Sequence, residues 1–341
     1  MILSLRRLDR GGLVAGMVAT ALLAVGIVLG SRSLRHFDPV LLTYTFGVLF
    51  SVFAVAYRTA VWLQRPPTRL YARRGWQLLW KGNPLANLAF TGGRAATHLG
   101  AQKFILRRGR LRWFTHFLIA WGSVLAGAVT FPLVFGWLHF ESRPDDPAVY
   151  EVILFSLPVA SFRTDSLVRF LVFNLLNVSA VMVILGAAFS LHRRLRNEGS
   201  AARQQFGNDL LPLLLLLAIS VTGLLLTFSM HALGGAAYPV LSLIHAVTVS
   251  ATLLYIPFGK FFHIFQRPLQ IGVILHHRAD QAAATCRSCG DSYAGARHVE
   301  DLKTVMVQSG FQGASRLELC PRCKRRELGT VLSRAPVEAA P

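Results

Sequence analysis

The hydrophobic pattern along the chain is dominated by six long apolar runs, at about 11–30, 40–63, 113–138, 166–190, 210–230 and 239–262. Each has roughly the 20 residues a helix needs to cross the hydrocarbon of a bilayer. The pattern predicts six transmembrane helices, the third interrupted by Pro132 and the sixth carrying Pro257 near its end. The first run follows Arg6, Arg7 and Arg10 with no small-residue cleavage site, as in an uncleaved signal anchor. Beyond about residue 264 the hydropathy falls. Residues 271–285 read as a linker, 286–330 as a small polar module, and 331–341 as a disordered Ala/Pro/Val/Glu tail. There is no internal repeat.

Composition supports the membrane class. Charged residues are 15% of the 341, against roughly 25% in soluble domains, and hydrophobic residues are 53%. A soluble globule of this length could not keep so much apolar surface dry. Four cysteines are too few for a disulfide scaffold.

The formal net charge of +20 would suit nucleic acid, but no aromatic-basic recognition motif accompanies it. Basic cytoplasmic loops facing anionic lipid account for it instead, so no nucleic-acid partner is expected. Residues 64–112 hold eleven Lys/Arg and no acid. Residues 139–165 hold five acids with only Arg143 and Arg163, and residues 191–209 are basic again, through Arg193, Arg194, Arg196 and Arg203. The alternation predicts a multi-pass protein of the inner (cytoplasmic) membrane with both termini in the cytoplasm.

Ionisable groups inside a membrane are expensive and mark function. His245 and His263 lie 18 residues apart on the sixth run, about five turns at 3.6 residues per turn and roughly 27 Å along an unbroken helix. One histidine near each leaflet on one helix face is the pattern for two stacked haems. His116 opens the third run and His263 closes the sixth. The two helices are antiparallel, so the two residues share the inner leaflet and form the expected inner pair. The outer partner of His245 is His231, at the end of the fifth run, with His139 as the alternative. His98, His192, His276 and His277 fall in basic segments and read as solvated, and His36 as an outer-loop residue. Arg110, Arg112, Lys260 and Arg267 are candidates for propionate pairing.

The stretch from His245 to His263, with its Pro-Phe-x-Lys-x-x-His segment, resembles the last helix of the respiratory nitrate reductase gamma subunit. It is also similar to the membrane cytochromes b of heterodisulfide-reductase-type and sulfite-reductase-associated complexes. Gly100-Ala-Gln-Lys103 followed by His116-Phe-Leu-Ile-Ala-Trp-Gly122 resembles the first haem helix of the heterodisulfide-reductase-like members. The likeness covers roughly 40–270. It implies a five-helix cytochrome b core, at 39–270; the helix within residues 1–38 and the Cys-bearing tail depart from the family's pattern. It further implies b-type haem, one or two, on His116, His245 and His263, with electrons passing between membrane quinone and a cytoplasmic iron–sulfur, heterodisulfide-reductase-like subunit. Ala126 stands where the nitrate reductase subunit has a second histidine, so the outer haem uses another ligand or is absent.

Cys286-Arg-Ser-Cys289 and Cys320-Pro-Arg-Cys323 are two C-x2-C pairs, enough for a closed tetrahedral thiolate shell. Zinc is the expected metal. Iron in a rubredoxin-like site is the alternative: Cys289-Gly290 and Tyr293 fit it, whereas Lys324 does not. The fold class expected is all-α: six transmembrane helices with a small cytoplasmic C-terminal metal module. No P-loop, dinucleotide fingerprint, H-E-x-x-H or hydrolase triad is present, so no catalytic residue is assigned. The function expected is a membrane-anchoring, quinone-reactive electron-transfer subunit. The alternative is a haem-free scaffold whose zinc module recruits a cytoplasmic partner.

Overall fold

A computed structural model describes residues 9–35, 41–196, 204–279 and 282–334. His36 and the tail beyond 334 lie outside the described residues. In chain order the helices are α1 (Arg10–Gly30), α2 (Leu42–Gln64), α3 (Pro66–Trp80), α4 (Pro84–Ala95), α5 (Lys103–Leu106), α6 (Arg110–Val134), α7 (Leu167–Arg196), α8 (Leu211–Ala232), α9 (Tyr238–Tyr255), α10 (His263–Leu269), α11 (Ile271–Ala279), α12 (Ala296–Gln308) and α13 (Pro321–Arg334). The six runs found in the sequence become α1, α2, α6, α7, α8 and α9. Each is long and apolar enough to cross a membrane, α8 together with the wide turn Phe206–Leu210 before it.

The chain divides into two compact units. The first holds residues up to Ala60 together with Gly100–Ile264, and the second holds Val61–Leu99 with the residues from Phe265 onward.

In the first unit α6 packs on α7 through small residues. A Cβ on Gly122 would lie 2.9 Å from the Ser179 carbonyl oxygen, and one on Gly186 would lie 2.7 Å from that of Thr115. Close backbone approach of this kind is what small residues permit between apolar helices. Helix α8 packs on α7, where the Thr227 hydroxyl donates to Asn177 Oδ1 at 2.9 Å, and on α9. Ile27, Val48, Phe135 and Leu253 form a buried apolar cluster joining α1, α2, α9 and the residue after α6.

Two features correct the sequence reading. The acid-rich stretch after α6 is not a loop but an antiparallel meander of β1 (Leu138–Ser142), β2 (Val149–Leu154) and β3 (Leu157–Arg163), so the fold is mostly helical, as expected, but carries strands that the all-α reading left out. Its half-exposed, aromatic-rich alternation suits strands, and Phe140, Tyr150 and Phe162 gather around Phe173 of α7. The sixth run is also not one helix. Helix α9 stops at Tyr255, and a turn and a short 3-10 stretch, Lys260–Phe262, precede α10. Pro257 has no N–H to continue the ladder. The five-turn register assumed between His245 and His263 is therefore broken.

The second unit fills what the sequence suggested were loop and linker. The basic stretch after α2 is the helical hairpin α3–α4. Asn83 caps α4 by accepting from the Ala86 N–H at 3.1 Å, and Asn87 Nδ2 donates to the Leu78 and Lys81 carbonyls, each at 2.9 Å. The expected linker is helical over Ile271–Ala279. There α11 crosses α3 so closely that a Cβ on Gly75 would meet Gly272 Cα at 3.1 Å. Strands β4 (Ala283–Thr285) and β5 (Ser292–Gly295) pair antiparallel, and with α12 and α13 they complete the cysteine module.

Candidate metal centre and histidine sites

Two short structures converge to build the cysteine site. The first pair sits on a knuckle: the Gly290 N–H donates to the Cys286 carbonyl at 2.9 Å, and Gly290 takes φ +76, a conformation open to glycine. The second pair begins α13. Pro321 occupies the first helical position, where a missing N–H does no harm, and the Cys323 N–H donates to Cys320 Sγ at 3.4 Å. All four sulfurs lie within 4.8 Å of one another, three of them on buried cysteines. Tyr293 packs against the cluster and donates to the Leu317 carbonyl.

The electrostatics suit thiolates. The Cys320 N–H donates to Cys286 Sγ at 3.2 Å, and chiefly for that reason the Cys286 thiol falls from an ordinary 9.0 to about 6. At Cys289 the Asp291 N–H favours the thiolate. Partial burial and hydrogen bonds with Cys286, Asp291 and Cys323 outweigh it and push that thiol up to about 12. One sulfur that ionises easily beside one that does not is the behaviour of like charges crowded into one site. A dication would relieve that crowding. The donor set, its convergence and its N–H···S bonds fit a metal ion.

The histidines lie on separate elements. His116, on the first turns of α6, shares a hydrogen bond between its Nδ1 and Gln102 Oε1 at 2.8 Å, and Gln102 is itself buried. His245, on α9, meets the Thr222 hydroxyl of α8 through Nδ1 at 2.8 Å, beside Gly223. His263 opens α10 with Nδ1 on the Lys260 carbonyl. Each ring is thus tied by Nδ1, which turns the opposite edge, bearing Nε2, away from that bond.

The two outer candidates stand on other elements than His245. His231 is exposed in the last turn of α8, nine residues beyond Thr222 and so roughly 13 Å further along the axis. His139 lies on β1 with Nε2 3.1 Å from Glu141 Oε1. Among the propionate candidates, Lys260 pairs with Asp209 at 2.7 Å.

Sequence reasoning missed a polar cluster in the second unit. His276, expected to be solvated, is fully buried, with Nε2 2.8 Å from Asp301 Oδ2. Arg74 Nη2 reaches Asp301 Oδ1 at 2.9 Å. Tyr71 stands edge-on to the His276 ring, and its hydroxyl is 3.3 Å from His298 Nδ1. The side chain of His277 lies outside the described residues. The only signal in the sequence was an acid on the inward face of an amphipathic helix, α12.

Comparison with known proteins finds no family model that matches the chain, no similar curated protein and no matching solved structure.

Proposed function

We propose that the chain is a membrane-anchoring b-type cytochrome subunit. In this reading it exchanges electrons between quinone and a cytoplasmic iron–sulfur, heterodisulfide-reductase-like partner. One observation carries the reading: three histidines, on or next to apolar helices, each have Nδ1 fixed by a protein oxygen. Iron-ligating histidines are oriented in this way by outer-shell hydrogen bonds, and a neutral His with no such purpose is expensive in a membrane. His116 and His263 are the proposed inner ligands and His245 the proposed outer one. His231 is retained only as a secondary candidate, given its distance along α8. Haem supplies the one-electron chemistry when bound. The chain's own part is to hold imidazoles in a fixed tautomer, exclude water and anchor the assembly.

The four cysteines hold a structural zinc ion in this proposal. Zinc has no redox chemistry, so the module serves assembly on the cytoplasmic face rather than electron transfer. The cysteine cluster by itself also suits the second reading, a haem-free scaffold that recruits a cytoplasmic partner. A reduced-minus-oxidised spectrum of the purified protein separates the two. A b-type band is expected, and a featureless spectrum in protein purified from haem-replete cells would leave the scaffold.

A further inference from the structure

Helices α3 and α4 each bury one face and leave the other uncovered within their unit. On α3 the inward residues are Tyr71, Arg74, Gly75 and Leu78. The opposite stripe is Arg69, Arg73, Trp76 and Trp80, within about 60° of one another at 100° per residue. Trp76 is 64% exposed and Trp80 52%, their rings 5.7 Å apart edge to face. On α4 the inward Phe90 is covered by Arg278, 4.2 Å from its centroid, while Leu85, Leu88, Ala89 and Gly92 form an outward apolar stripe, Leu85 79% exposed.

Within the second unit, the start of the hairpin is tied to Trp62. The Arg65 N–H donates to the Trp62 carbonyl at 3.3 Å, the Thr68 hydroxyl donates to the same carbonyl, and Pro66 opens α3. The uncovered stripe of α3 therefore begins, at Arg69, five residues beyond the end of a helix apolar enough to span a bilayer. It is rich in tryptophan, the residue of membrane interfaces, and lies in a stretch with eleven Lys/Arg and no acid.

We infer that the α3–α4 hairpin is a bilayer-surface anchor, with Trp76, Trp80, Leu85 and Leu88 seated at the headgroup level and Arg69 and Arg73 taking anionic phospholipid headgroups. Amphipathic helices with aromatic and leucine residues on one side and basic residues beside them bind in this way. The occupant is lipid rather than a protein because the hairpin is continuous with the span and its charge is of one sign. The inference is independent of haem.

The test uses the full chain in nanodiscs of phosphatidylcholine, with or without phosphatidylglycerol, and with lipids brominated near the top of their acyl chains. The emission of Trp76 and Trp80 is obtained by subtracting the Trp76→Phe/Trp80→Phe variant from the unsubstituted protein. Most of this difference emission should be quenched by bromine in discs containing phosphatidylglycerol, and less in phosphatidylcholine alone. Arg69→Gln and Arg73→Gln should each lower the bound-to-free ratio roughly fivefold, and Leu85→Glu should lower it as well. All five side chains are exposed, and unchanged metal content at the cysteine site confirms that the second unit stays folded. Equal emission with and without bromine in both lipids would overturn the inference. So would quenching indifferent to phosphatidylglycerol and to the arginines, or protection that appears only when two copies share a disc.

Discussion

The Nε2 atom of His276 lies 2.8 Å from Oδ2 of Asp301, both side chains sealed from water, with Arg74 at 2.9 Å on the other carboxylate oxygen. This contact ties α11 to α12, and Arg74 adds α3. Removing one member of a buried charged network strands the others and costs about 3–5 kcal/mol. Asp301→Ala should therefore unfold the second unit well before the first, seen as early proteolysis within 265–334. Asp301→Asn, which keeps a hydrogen-bonding oxygen, should cost less. Equal proteolytic resistance of Asp301→Ala and the unsubstituted protein would show that the network contributes nothing.

The cysteine site should bind one metal ion per chain, and Cys286→Ser together with Cys289→Ser should abolish it, by elemental analysis. Its acid sensitivity follows from Cys286. The thiol sits at about 6 rather than 9.0, so its thiolate contributes stability that is present above the ordinary thiol range and lost as the pH falls through about 6. Binding metal extends that protection to still lower pH. Release of metal to a chromophoric chelator should therefore begin only below about pH 6.

For the histidines, His116→Ala and His263→Ala should each remove the inner haem, measured as haem per protein. His245→Ala should halve the content of a two-haem parent, and His139→Ala should leave it unchanged. Gln102→Leu removes the acceptor at Nδ1 of His116. It should retain haem but weaken its binding by about tenfold or more and raise the midpoint potential, because a less basic imidazole stabilises ferric iron less. Full haem content in both His116→Ala and His263→Ala would dismiss the inner pair.

Gly122→Val places a side chain where α7 already stands, the Cβ position being 2.9 Å from the Ser179 carbonyl. Overpacking of this kind costs about 1–3 kcal/mol. A lowered melting temperature in detergent is expected, with little change for Gly92→Ala, whose Cβ would meet nothing within 4 Å.

Long-range composition made the six apolar helices and the cysteine cluster legible in the sequence. Twenty apolar residues in a row have few alternatives, and two C-x2-C pairs nearly define their own geometry. Features set by partners distant in sequence were not legible. Asp301 and His276 are 25 residues apart, and nothing local told a buried histidine from a solvated one. The α3–α4 hairpin was masked by its charge, which invited a loop. The meander was masked by acidic residues, although Val149, Tyr150 and Val152 carried strand propensity. The end of α9 was signalled by Pro257, but the spacing of His245 and His263 encouraged an unbroken helix.

Because the second unit is assembled from residues 61–99 and from those beyond 264, it cannot be completed in the order the chain is made. At about 5–20 residues per second, α3 and α4 emerge on the order of ten seconds before α11 and the cysteine module arrive to cover Gly75 and Tyr71. During that interval the inward face of the hairpin has no partner from its own unit. The unit is thus a late-closing clasp, and a ribosome that stalls within α6 to α9 would leave half of it displayed to proteases and chaperones.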